Sequence, residues 1–122
     1  MGNEGSVWEM AWFAAQQKLD NLTIIVDHNK MQAMGFSKDV MDPIDLANRW
    51  KSFGWEVVTV DGHSVLELAE ALRGSSKEAP RCIIANTIKG KGVSFMENNL
   101  LWHYRDPQGE DYMNALSELG GV

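Results

Sequence analysis

Two short runs of almost uninterrupted aliphatic residues, Ile24-Ile25-Val26 and Cys82-Ile83-Ile84-Ala85, constrain this chain more than any other feature. A strand with water on one face alternates apolar and polar side chains. One that does not alternate is expected where helices cover both faces, the condition of a parallel sheet. The residues around these runs carry helix punctuation. Ser6-Val7-Trp8-Glu9 has the form of a capping box before an apolar helix over 7–18, stopped by Asp20-Asn21. Asp42-Pro43 sets a capping carboxylate ahead of a first-turn proline and predicts a helix over 43–53, ended at Gly54. Ser64-Val65-Leu66-Glu67 is a second capping box, with Leu66, Leu68, Ala69 and Leu72 at helical spacing up to Gly74. Asp106-Pro107 announces a last helix over 110–119, closed by Gly120-Gly121. Strands over 22–27, 55–61 and 81–87 fall between these helices. The fold class is therefore α/β, a parallel sheet with helices on both faces.

The length, 122 residues with 44% hydrophobic and 23% charged, is that of one globular domain spanning 1–122. No apolar run approaches the roughly 18 residues that span a bilayer, and the start lacks the basic and apolar segments of a secretion signal. The expectation is a soluble cytoplasmic protein without membrane contact. Seventeen acidic against eleven basic side chains leave a formal charge of −6, and the Lys and Arg residues are scattered, which argues against a nucleic-acid partner. The lone cysteine, Cys82, sits in an apolar run and reads as a buried structural thiol.

In open parallel sheets ligands gather beyond the carboxyl ends of the strands. The segments there are Asp27-His28-Asn29, Asp61-Gly62-His63 and Lys89-Gly90-Lys91-Gly92, and the stretches 30–42 and 89–107 are too apolar to be linkers. Pattern alone implies a small-molecule site and no more.

Longer segments carry a resemblance. Glu4-Gly5-Ser6-Val7-Trp8-Glu9, Lys18-Leu19-Asp20-Asn21-Leu22 and Val26-Asp27-His28-Asn29-Lys30-Met31-Gln32 resemble the thiamine-diphosphate-binding domain of transketolase. So do Val60-Asp61-Gly62-His63, Thr87-Ile88-Lys89-Gly90-Lys91-Gly92-Val93-Ser94-Phe95-Met96-Glu97 and Trp102-His103, the later segments being most similar to transketolases made of two subunits. The resemblance implies a partial thiamine-diphosphate-binding fold and a site for thiamine diphosphate and Mg²⁺. In that family a Gly-Asp-Gly aspartate, an asparagine and a backbone carbonyl hold the ion, a hard cation that takes oxygen ligands. Asn29 matches the asparagine and Met31 the carbonyl. Gly62, His63, Gly90 and Gly92 would shape the cofactor site, and His103 matches a histidine near diphosphate and substrate, where it donates hydrogen bonds or moves protons. Glu4 and Glu9 match glutamates of a subunit interface, although Glu9 is also the partner of Ser6 in the capping box.

The sequence departs from the family at its start. The aligned aspartate falls just ahead of Met1, and no Gly-Asp-Gly precedes Glu4, so the domain is expected to be truncated at its N-terminus. The second domain, which supplies a glutamate to the cofactor's pyrimidine, is likewise expected to be missing. Cofactor and magnesium binding is expected to be weak or absent, down by several kcal/mol for want of an ion–carboxylate contact. The first helix is apolar on nearly every side, through Val7, Trp8, Met10, Ala11, Trp12, Phe13, Ala14 and Ala15, and requires cover. A homo-oligomer using Trp8 and Trp12, or a pyrimidine-binding transketolase subunit, would supply it. The leading expectation is a fragment of an enzyme moving two-carbon ketol units between sugar phosphates, inactive by itself. The alternative is a non-catalytic oligomeric protein derived from such a domain, without cofactor binding.

Overall fold

The computed structural model describes residues 3–32, 34–41, 45–74 and 78–120. The chain divides into two compact units, one of Met1–His28 and Met41–Asn86, the other of Asn29–Val40 and Thr87–Val122.

The first unit holds a parallel sheet of three strands, β1 (Thr23–His28), β4 (Glu56–Asp61) and β5 (Arg81–Asn86), in the order β1-β5-β4. Helix α1 (Gly5–Gln16) and helix α3 (Leu46–Ser52) cover one face, where Ala11, Ala14, Trp50 and Trp55 pack with Cys82 and Ile84. Helix α4 (Val65–Arg73) covers the other, where Ala71 meets Val60, Ile83 and Ala85. Cys82 and Ile84 alternate with Ile83 and Ala85 along one strand, so the two clusters lie on opposite faces. The expected α/β architecture with helices on both sides is what the chain adopts.

Among the described residues only the central strand is sealed on both faces. Arg81 through Ala85 are buried, whereas Thr23, Ile25 and Asp27 of β1 are exposed and Ile25 keeps 54% of its surface. The uninterrupted Ile24-Ile25-Val26 run therefore belongs to an edge strand, covered on one side within the described residues. An aromatic cluster joins the helices to the sheet: Trp50 lies 5.1 Å from Trp8 and 5.0 Å from Trp55 between ring centroids, and Trp55 Nε1 donates to Ala11 O at 2.8 Å. Such pairs add about 0.5–1.5 kcal/mol each beyond their buried area. Arg81, buried at the start of β5, is held at its guanidinium. Nη2 donates to Glu56 Oε1 at 2.8 Å, and Nη1 to Ala71 O at 2.8 Å.

Two helix starts differ from expectation. Helix α1 begins at Gly5 with Glu4 as its extended N-cap and no side-chain cap, so Ser6 lies inside the first turn and the Ser6–Glu9 box does not form. The Val7 N–H to Glu4 O bond closes that turn one residue upstream of the box. For α3 the cap is Asp45, whose side chain accepts from Asn48 N, and the Asp42-Pro43 pair lies outside the described residues. Ser64 caps α4 as expected, accepting from Glu67 N, while Glu67 Oε2 accepts the N–H of Asp61.

The second unit contains a two-stranded antiparallel sheet, β2 (Met31–Gln32) with β3 (Gly35–Phe36), a short helix α2 (Ser37–Val40), a 3-10 turn (Leu100–His103) and helix α5 (Glu110–Glu118). The cap of α5 is Gly109 at φ +55 rather than the Asp106-Pro107 pair. Ser94 Oγ donates to Glu118 Oε1 at 2.8 Å, tying the end of α5 to the segment after Gly92.

Candidate functional site

The three parallel strands end in register at His28, Asn86 and Asp61. His28 Nδ1 lies 3.1 Å from Asn86 Oδ1; with that oxygen as acceptor, the imidazole proton sits on Nδ1. The backbone oxygen of the same Asn86 accepts the Gly62 N–H at 2.8 Å. Asp61 Oδ1 accepts the His63 N–H at 2.9 Å, and Glu67 Oε2 accepts the Asp61 N–H at 2.9 Å. The Asp61-Gly62-His63 turn is thus fixed at each of its three amides, as a strand-end binding segment needs to be.

Asn29, the residue after His28 in the chain, starts the second unit. Its Oδ1 accepts the Met31 N–H at 3.0 Å, an Asx turn closed over Lys30, which sits in the left-handed region at φ +60. A non-glycine residue there is uncommon and marks a backbone held by its surroundings. Lys30 O accepts the Ser37 N–H at 2.9 Å, locking the far side of the same turn. Asn29 and Met31 are brought together as the sequence implied.

Gly90 and Gly92 lie in one turn, at φ +76 and +97. A Cβ on Gly90 would stand 2.5 Å from Met96 O, so only glycine permits this approach. The Gly92 N–H donates to Glu97 Oε1 at 3.1 Å, and Lys91 Nζ lies 4.0 Å from the same oxygen. An internal carboxylate therefore takes up one of the amides this turn offers. His103 closes the 3-10 turn, exposed, edge-on to Tyr104 at 4.6 Å.

Of the candidate contact residues on α1, Glu4 and Glu9 are exposed. Trp8 is partly buried against Trp50 and Phe53, with the Arg49 guanidinium 5.1 Å from its ring, so it serves the chain's own core. Trp12 and Phe13 are open, at 69% and 62% exposure. Cys82 is wholly buried, and burial pushes its thiol up to about 12, as for a structural rather than a reactive cysteine. Hydrogen bonds from the Ser94 backbone and hydroxyl hold the Glu118 carboxyl below its ordinary range.

The donors at the Asn29 turn suit a hard cation in kind: an amide oxygen, whose second lone pair is not used by the Met31 N–H, and a backbone carbonyl. Both are neutral, and among the described residues no group of three His, Cys, Asp or Glu side chains is disposed to hold a metal. Asn86 and Glu97 were not singled out from sequence. The signal for Asn86 was its position at the end of the apolar run of β5, level with His28 and Asp61.

The sequence model described as transketolase, thiamine diphosphate binding domain, matches residues 2–121. One of the two subunits of an apulose-4-phosphate transketolase from Actinobacillus succinogenes is 46% identical over 121 residues, 95% of this chain and 42% of that protein. A 6-deoxy-6-sulfo-D-fructose transketolase subunit of a Clostridium species is 38% identical over 119 residues, 96% of this chain and 43% of the relative. The crystal structure of a transketolase from Campylobacter jejuni superposes with a TM-score of 0.85 at 29% identity, covering 97% of this chain and 19% of that one. The chain thus spans less than half the length of these relatives.

Proposed function

The chain belongs to the transketolase thiamine-diphosphate-binding domain family, and on that premise we propose that it is the C-terminal portion of such a domain, from the cofactor-binding subunit of a two-subunit transketolase. Its substrates would be sugar phosphates, its setting the cytoplasm, and its partner a subunit that binds the cofactor's pyrimidine ring. Thiamine diphosphate supplies, when bound, the electron-sink chemistry by which a two-carbon ketol unit is transferred. The residues of this chain anchor and orient. The Asn29 amide oxygen and the Met31 carbonyl would hold Mg²⁺ against the diphosphate. Gly62, His63, Gly90 and Gly92 would shape the surface the cofactor rests on. His103 would donate a hydrogen bond or move a proton near the substrate. With two neutral metal donors the 122-residue chain binds the cofactor weakly and turns over no substrate appreciably by itself.

The observation that carries this reading is the Asn29 turn: an asparagine directly after a parallel strand, its oxygen accepting the Met31 N–H at 3.0 Å over a left-handed Lys30. Isothermal calorimetry with thiamine diphosphate is the test. Saturable heat that requires Mg²⁺ and disappears in the Asn29→Ala variant is expected. Absence of heat at millimolar cofactor, or heat indifferent to Mg²⁺, would contradict it.

The second reading, a non-catalytic oligomer, draws on the open face of α1, where Trp12 and Phe13 are exposed. A homo-oligomer joined through Trp12, Glu4 and Glu9 is compatible with either reading. Sedimentation of the chain with and without cofactor separates them, since only the first predicts a cofactor-dependent change.

A further inference from the structure

We propose that Asn86 is a positioning residue that holds the ends of β1 and β4 against β5. His28, Asn86 and Asp61 are level at the last rung of the sheet. At that rung Asn86 acts in two directions. Its side-chain oxygen meets His28 Nδ1 at 3.1 Å, and its backbone oxygen takes the Gly62 N–H at 2.8 Å. The His28 contact is partly buried, and it fixes the side chain of Asn86 and with it the peptide plane that receives Gly62. β1 is an edge strand with an exposed outer face, so its last residue has few other restraints within the unit. Neither Asn86 nor His28 is among the residues assigned to cofactor contact. What the clamp serves rests on the cofactor reading: Gly62 and His63 follow the end of β4, and Asn29 is joined to His28 by a single peptide bond.

The test uses the 122-residue chain and four variants, Asn86→Leu, Asn86→Asp, His28→Phe and His28→Asn, with two readouts. The first is amide hydrogen exchange at Gly62, which needs no ligand. Asn86→Leu and His28→Phe are expected to speed it roughly three- to tenfold, the equivalent of one lost neutral hydrogen bond, while Asn86→Asp and His28→Asn, which keep an acceptor or a donor in place, stay near wild type. The second readout is the Kd for thiamine diphosphate with Mg²⁺, expected to weaken by a similar factor in the same two variants and to recover in the conservative ones. Unchanged Gly62 exchange in both disruptive variants overturns the proposal. Faster exchange with an unaltered Kd also overturns it, because the clamp would then be structural only. A wild-type chain that shows no binding heat defeats the cofactor reading, while the exchange data still decide whether the clamp exists. Should Asn86→Leu fail to fold, the His28→Phe and His28→Asn pair carries the same comparison.

Discussion

Replacing Gly74 by alanine sets two opposed effects against each other, and the structure decides the sign. Gly74 has φ −62 and ψ 142, an ordinary extended conformation that alanine adopts without strain. On backbone grounds alone, Gly74→Ala would stabilise the chain by about 0.4–1 kcal/mol through the unfolded state. An added Cβ, however, would stand 2.1 Å from Arg81 Nη1 and 2.9 Å from Cζ and Nη2. The guanidinium has nowhere to retreat without giving up its bonds to Ala71 O and Glu56, and its side chain is only 7% exposed. Loss of a hydrogen bond to a charged group costs about 1.5–3 kcal/mol, so the net effect is a destabilisation of about 1–2 kcal/mol. For a domain of this size each kcal/mol lowers the melting temperature by roughly 3–6 °C. Urea unfolding, read as a shift in midpoint at constant slope, measures it. The control is the same substitution in an Arg81→Leu background, where the obstacle is gone and Gly74→Ala should turn stabilising by roughly 0.5 kcal/mol. A neutral or stabilising effect in the wild-type background, or equal effects in the two backgrounds, would refute the reasoning.

Trp50 Nε1 is buried with no hydrogen-bond partner among the described residues, whereas Trp55 Nε1 donates to Ala11 O at 2.8 Å. Trp50→Phe should therefore cost less stability than Trp55→Phe, by about 1 kcal/mol on denaturant unfolding. Cys82, with its thiol pushed from 9.0 up to about 12, should resist a thiol reagent at pH 8 except at the rate of unfolding. The unfolded thiol ionises first, so the chain should lose stability as pH rises from about 9 towards 12. Glu118 runs the other way: its folded carboxyl is held below the ordinary 4.5, so its contribution is present above that value and lost as pH falls through the folded one. The stability gap between wild type and Glu118→Gln should accordingly be constant near neutrality and close in acid.

Local chemistry was the legible part of this fold. The Ser64 cap, the buried β5 run and the glycine stops were readable because each depends on residues close in sequence. The burial of β1 was not, since whether an apolar strand is sealed or left at an edge depends on which strands pair beside it. Neighbouring alternatives also misled: Asp42 and Asp45 are both credible caps, and Ser6 looked like a cap until the chain started its helix at Gly5. The β2–β3 hairpin, two residues per strand, is too short for periodicity to register. Asn29, Met31 and the Gly90 turn were legible through resemblance, and the Gly90 approach to Met96 O supplies a steric reason for a glycine there. The Asn86–His28 contact joins side chains 58 residues apart, a separation no local pattern reports.

Cofactor binding by this chain requires that the oxygens at the Asn29 turn face a divalent ion carrying thiamine diphosphate. Manganese replaces magnesium in such oxygen sites and broadens the NMR signals of nearby nuclei. With manganese and thiamine diphosphate together, the Asn29 side-chain amide and the Met31 backbone amide should broaden first. Either component by itself should leave them sharp. Broadening confined to surface carboxylates, with Asn29 and Met31 untouched at saturating cofactor, would contradict a metal site at this turn.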